Sequence, residues 1–160
     1  MFTIAQSGSA YGARLIATEA ISNGALIYRI ANYQIVSEPT YQTIQIGPDK
    51  HINDLGMLAY LNHSCAPNVV VDTRHLIVVA VRDIAPGEEL NYFYPSTEWD
   101  MARPFVCLCG APGCLRLVFG ARYLSLDTLS RYFVNEHVRQ MALACLETVA
   151  VQASNNTVPR

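Results

Sequence analysis

Across residues 1–94, apolar positions come in short runs, each cut off by a turn signal. Leu15-Ile16-Ala17 is followed by Ser22-Asn23-Gly24 and then by Ala25-Leu26-Ile27-Tyr28. Tyr41 to Ile46 alternates as a half-buried strand does, and Gly47-Pro48-Asp49 stops it. Asp54 has the side chain to cap a short helix through Met57 and Leu58, which delivers the chain to Asn62. His75-Leu76-Ile77-Val78-Val79-Ala80-Val81 is the most strand-prone run, dense in β-branched residues. Ala85-Pro86-Gly87 closes it. The expectation is a mainly β (α+β) fold of many short strands and little helix.

The period changes after residue 122. Leu126, Leu129, Phe133, Val134, Val138, Met141, Cys145 and Val149 recur at three- and four-residue steps, the spacing of one helix face. Ser125 or Asp127 can cap it. The pattern predicts one amphipathic helix of about six turns, bracing the domain, with Cys145 in its buried stripe. Docking of a partner on that stripe is the alternative. Residues 153–160 are polar, a tail expected to fray.

Composition narrows the class. The 160 residues are 51% hydrophobic and 15% charged, enough apolar material for one domain with its own core. A net charge of −2 without a basic run lacks the footprint of a nucleic-acid binder. That small acidic excess suits a basic substrate but does not argue for one. The N-terminal stretch has no basic region followed by an apolar one, and no run approaches 18 apolar residues. A cytoplasmic or nuclear protein without membrane partners is expected. Five cysteines is an odd number, and three fall within eight positions, which in such a setting reads as metal binding before disulfides.

Three motifs carry the chemistry. Asn62-His63-Ser64-Cys65-Ala66-Pro67-Asn68 comes first, then Glu89-Leu90-Asn91-Tyr92-Phe93-Tyr94, then Cys107-Leu108-Cys109-Gly110-Ala111-Pro112-Gly113-Cys114. In this order they resemble the SET-domain protein lysine methyltransferases that have a cysteine-rich post-SET segment. The resemblance covers roughly residues 8–120. It implies the SET β-fold of short curved sheets with a pseudoknot near the first motif, a post-SET zinc loop and a C-terminal helix. The corresponding division is residues 1–104, 105–120 and 121–160.

The same resemblance implies roles. Cys107, Cys109 and Cys114 supply three thiolates, and the family's fourth zinc ligand corresponds to Cys65. Four sulfurs close a tetrahedron, so the zinc is structural. Asn62 and His63 correspond to residues that hold S-adenosyl-L-methionine. Gly12-Ala13-Arg14 stands where the family has Gly-x-Gly; the second glycine is missing, and Arg14 can reach the cofactor carboxylate or face solvent. The family's arginine ahead of the Asn-His pair is also missing, since Ala59-Tyr60-Leu61 occupies that stretch. Tyr94 corresponds to the catalytic tyrosine, and Tyr92 to a Phe/Tyr position that limits the number of methyls added. Phe93 replaces the family's aspartate and Pro95 a common glycine, changes expected to reshape the channel.

The leading expectation is methyl transfer to the ε-amine of a lysine in a protein or peptide. The alternatives are a SET scaffold acting on a small-molecule substrate and a SET module that binds without catalysis.

Overall fold

The computed structural model describes residues 1–6 and 12–155. Residues 8–11 of the SET-like stretch, the tail residues 156–160 and the side chain of Val149 lie outside the described ones. The strands are short. In chain order they are β1 (Phe2–Gln6), β2 (Ala13–Ala17), β3 (Leu26–Arg29), β4 (Tyr33–Val36), β5 (Ile44–Gly47) and β6 (Lys50–Asp54). Then come β7 (Asn62–His63), β8 (Val69–Asp72), β9 (Ile77–Ala80), β10 (Asn91–Tyr92), β11 (Phe105–Val106) and β12 (Leu117–Val118). Helix follows in α1 (Leu126–Leu129) and α2 (Glu136–Asn155).

Two antiparallel three-stranded sheets, ordered β3-β9-β8 and β4-β6-β5, form the body, with antiparallel pairs β1-β2 and β11-β12 beside them. The one parallel pair among the described residues joins β7 to β10. Alternation does the sorting within strands: Val69 and Val71 of β8 are fully buried, while Val70 and Asp72 between and after them are partly exposed. Val78 and Ala80 of β9 turn to the same core, which Leu15, Ile52, Leu61, Ile84 and Leu90 complete at 1% exposure or less. Each such aliphatic side chain stabilises the fold by about 1.5–3 kcal/mol on burial.

Local chemistry sets the boundaries. Asp54 Oδ2 accepts the Leu58 N–H at 3.1 Å and starts a short 3-10 turn over Leu58–Tyr60 that leads to β7. Pairing begins at Ile44, because Tyr41 and Gln42 belong to a turn closed between Thr40 and Thr43. Likewise β9 begins at Ile77: Asp72 Oδ1 accepts the N–H groups of Arg74 and His75, both at 3.0 Å, and holds these residues in a turn.

The C-terminal segment departs from the single helix expected from residue 125. Ser125 does cap α1, accepting the Thr128 N–H, but α1 ends at Leu129. Asn135 breaks the run. Its Nδ2 donates to Val71 O at 2.9 Å and Ser96 O at 3.0 Å, and its Oδ1 accepts from the N–H and hydroxyl of Thr73, both at 2.9 Å. These bonds tie Asn135 to the β body and reset the chain, so α2 starts afresh at Glu136. His137 and Val138 fasten its first turn, His137 Nε2 donating to Thr97 O at 2.8 Å. Further along, Leu143 is 60% exposed and Cys145 is exposed too, so Cys145 is not a core residue. The stripe buries only where α2 crosses the domain. Residues 153–155 continue the helix. Among the described residues, no helix is long and apolar enough to cross a membrane.

Candidate active site

The parallel pair sets Asn91 opposite Asn62 and Tyr92 opposite His63. Side chains lock this join. Asn62 Nδ2 donates to Glu89 Oε1 at 2.9 Å and to Ala13 O at 3.4 Å. Asn68, fully buried, donates from Nδ2 to Glu89 O at 2.8 Å and accepts the Asn91 N–H on Oδ1 at 2.9 Å. It is therefore a structural clasp between the first two motifs, with its polar atoms satisfied.

His63 faces two ways. Its Nδ1 accepts the Tyr94 N–H at 3.1 Å, which leaves the proton of the neutral ring on Nε2, 3.3 Å from Cys65 Sγ. Burial holds its pKa down at about 4, so the ring is neutral at physiological pH.

Cys65, Cys107, Cys109 and Cys114 converge, their sulfurs within 4.8 Å of one another. The β11-β12 hairpin folds the cysteine loop back on itself, with Cys107 N–H donating to Arg116 O at 2.7 Å. Gly110 turns the loop at φ +72°, where a β-carbon would strain the backbone. N–H groups of Leu115 and Arg116 point at the sulfurs of Cys65 and Cys114, at 3.4 and 3.5 Å. Burial pushes the Cys65 thiol up to about 11. Burial also pushes Cys109 upward, but backbone N–H donors and the Cys107 and Cys114 thiols outweigh it and hold Cys109 at about 6.

Beside this cluster lies a cleft of about 690 Å³. Gly12, Asn62 and His63 line it, as do Tyr92, Tyr94 and Glu98, with Thr40–Ile44 and Met101–Val106 forming its sides. The Tyr94 hydroxyl donates to Leu61 O at 3.1 Å. Burial, then the carboxylates of Glu98 and Glu89, raise the Tyr94 pKa, so it stays a neutral phenol. The Tyr92 ring packs 4.8 Å from that of Tyr94, and its pKa too is raised by burial and by Tyr94 and Glu98.

Of the residues singled out in the sequence, Gly12, Asn62, His63, Tyr92 and Tyr94 thus share one cleft, and the four cysteines share one cluster next to it. Ala13 and Arg14 are not in the lining. Arg14 turns toward Glu89, with Nη1 to Oε2 at 3.7 Å, and its buried Nε has no hydrogen-bond partner among the described residues.

Phe93 stands outside the cleft lining, with its ring 5.7 Å from that of His63 within it. Alternation sends it to the opposite side from its neighbours, where it stacks on Tyr132 with ring centroids 3.7 Å apart and planes at 3°. There it joins Leu129, Val134 and Val138 in the cluster that holds the helical segment. Pro95 is also accounted for: it stands in the first turn of the 3-10 segment Tyr94–Ser96, where no backbone N–H is needed.

Phe105 and Glu98 are among the cleft residues that escaped the sequence reading. Phe105 brings its ring within 5.5 Å of His63 and 5.9 Å of Tyr94; an aromatic two places before the first loop cysteine was its only mark. Glu98 is marked by nothing except its place one turn after Tyr94.

A family model for the SET domain matches residues 12–95. A relative aligned over 94% of this chain, methyltransferase flvH of Aspergillus flavus, is 36% identical over 153 residues and is covered to 86% of its own length. The chain belongs to the SET-domain methyltransferase family. The H3 lysine-4 specific histone-lysine N-methyltransferase of Aspergillus fumigatus is 41% identical over 66 residues, which span 37% of this SET chain but 5% of that enzyme. Solved SET structures share the fold. Kryptonite, solved with mCHG DNA and SAH, superposes over 72% of this chain and 29% of its own with a TM-score of 0.56 at 23% identity. The methyltransferase domain of human SETMAR superposes over 74% of this chain and 58% of its own with a TM-score of 0.55 at 22% identity.

Proposed function

We propose that this SET-domain protein transfers a methyl group from S-adenosylmethionine to the ε-amine of a lysine in a protein or peptide. The observation that carries the reading is that Tyr92 and Tyr94 open into the same cleft as Gly12, Asn62 and His63. Phe105 and His63 offer ring surfaces beside Asn62, a lining that fits an adenine-bearing cofactor. S-adenosylmethionine supplies an electrophilic methyl group when bound. Gly12, Asn62 and His63 would hold it, with Ala13 and Arg14 placed behind them.

The chain's own groups then have to deliver a neutral amine. Free lysine titrates near 10.4, so the ammonium must shed a proton before it can act as a nucleophile. Burial among Tyr92, Tyr94 and Leu61 disfavours the charged form. The Tyr94 proton is committed to Leu61 O, so its oxygen lone pairs are available to accept an amine N–H and aim the nitrogen. Fixing that direction is the kind of positioning worth several kcal/mol. Tyr92 narrows the same end of the cleft, which favours mono- or dimethylation.

The cysteine cluster fits one zinc ion. Zinc–sulfur bonds of 2.3 Å in a tetrahedron place sulfurs about 3.8 Å apart, and Cys65 and Cys107 stand at 3.9 Å. Held by Cys65, Cys107, Cys109 and Cys114, the metal would be structural and would pin Phe105 over the cleft.

The test is incubation of the purified chain with isotope-labelled S-adenosylmethionine and, in parallel, a protein extract and a pool of small amines. Label on protein lysine supports this reading. Label confined to the small amines moves the substrate to that class, and no label in either arm refutes the methyltransferase.

A further inference from the structure

Glu98 is 6% exposed, lines the cleft, and forms no ion pair among the described residues. Its Oε1 accepts the Gln45 N–H at 2.9 Å and the Thr97 hydroxyl at 3.1 Å. These neutral donors fix the carboxyl's place and leave its second oxygen without a partner among the described residues. The cleft also holds the phenols of Tyr92 and Tyr94, both of which feel its charge, and its lining includes Arg103, which makes no ion pair with Glu98; His137 lies beyond the Thr97 carbonyl. A buried carboxylate without a cation is expensive to keep. Evolution of a purely structural tie needs only an acceptor, which an amide or a backbone carbonyl provides as well. A carboxylate facing the tyrosine end of a cleft is instead matched to a ligand that brings its own positive charge.

We propose that Glu98 is the substrate-recognition residue of the cleft, pairing with the primary ammonium of the substrate and taking its proton. The inference deepens the amine-methylation reading and rests on it for the later step. On entry, the ammonium compensates the carboxylate and is drawn to the tyrosine end. Once the pair is shut off from water, both ions are disfavoured and the proton crosses: one N–H bond breaks, one O–H bond forms on Glu98, and nitrogen keeps the electron pair. That pair forms the N–C bond as the C–S bond of the sulfonium donor breaks. The methylated ammonium leaves and Glu98 returns its proton to water. Near-neutral titration suits the group to both halves of this cycle: burial raises its pKa to about 7, against the opposing effect of the Gln45 and Thr97 donors.

The experiment is calorimetric titration of n-butylamine, with n-butanol as the uncharged control, into the chain saturated with S-adenosylhomocysteine at neutral pH. Glu98→Gln keeps an oxygen for Gln45 and Thr97 and removes only the charge. It should bind butylammonium about tenfold or more weakly, with butanol binding unchanged. In the wild type, pairing ionises the carboxyl fraction that was protonated, so the heat should depend on buffer and report proton release. That second reading needs no variant. Equal butylammonium affinity in Glu98→Gln overturns the proposal, as does binding without proton release. Neither measurement requires turnover: charge-selective binding without methyl transfer would sink the enzymatic reading and leave Glu98 as the ammonium site.

Discussion

The His63 ring joins Tyr94 to the cysteine cluster: Nδ1 takes the Tyr94 N–H at 3.1 Å while Nε2 lies 3.3 Å from Cys65 Sγ. One side chain thus sets the backbone of the tyrosine and orients a sulfur of the cluster proposed to hold zinc. Groups that hydrogen-bond to a metal ligand tune affinity for the metal as well as its geometry. His63→Ala is therefore expected to weaken zinc about 10- to 100-fold, seen as faster loss to a chelator in competition. Replacing Cys109 with serine should release zinc outright. An unchanged chelator profile in His63→Ala would detach the ring from the metal site.

Phe93 fastens the helical segment to the domain. It is 2% exposed and stacked on Tyr132. Restoring the family's aspartate would remove that stack and bury a carboxylate among apolar side chains. Phe93→Asp should cost more than about 3 kcal/mol, read as a lowered Tm and early exposure of the C-terminal helices. A normal Tm would mean that the stack contributes little.

Glu98 gives the stability a pH signature. Its folded pKa of about 7 lies above the ordinary glutamate value of 4.5, so the folded state binds the extra proton between those values. Its contribution is fully present below pH 4.5 and is lost as pH rises through about 7. The loss is on the order of 3 kcal/mol by pH 8. Glu98→Gln should flatten that decline, matching the wild type near pH 4 and exceeding it at pH 8 in denaturant melts. A parallel decline in both proteins would place the titrating group elsewhere.

What could be read in advance was contiguous. Asn62 to Asn68, Glu89 to Tyr94 and Cys107 to Cys114 each carry their chemistry within a few residues, and the family likeness supplied Cys65 as the partner of the loop cysteines. The strand runs were legible for the same reason, since alternation is local. Long-range capture was not. Nothing near Asn135 announces that Val71, Ser96 and Thr73 will take its side chain, so the apolar period looked unbroken where the chain resets. Phe93 read as a change in the channel because its partner, Tyr132, lies in a different segment. Glu98 becomes visible only when the turn after Tyr94 folds it under the cleft.

The most direct test of the central claim is single-turnover methyl transfer to the amine substrate by the wild type, Tyr94→Phe and Tyr92→Phe. Tyr94→Phe keeps the ring, loses one hydrogen bond to Leu61 O worth about 1 kcal/mol, and should leave cofactor affinity nearly unchanged. Its transfer rate should fall by about 10² or more. Tyr92→Phe should stay active and shift products toward higher methylation. Full transfer rate in Tyr94→Phe, with S-adenosylmethionine bound as in the wild type, would contradict the mechanism.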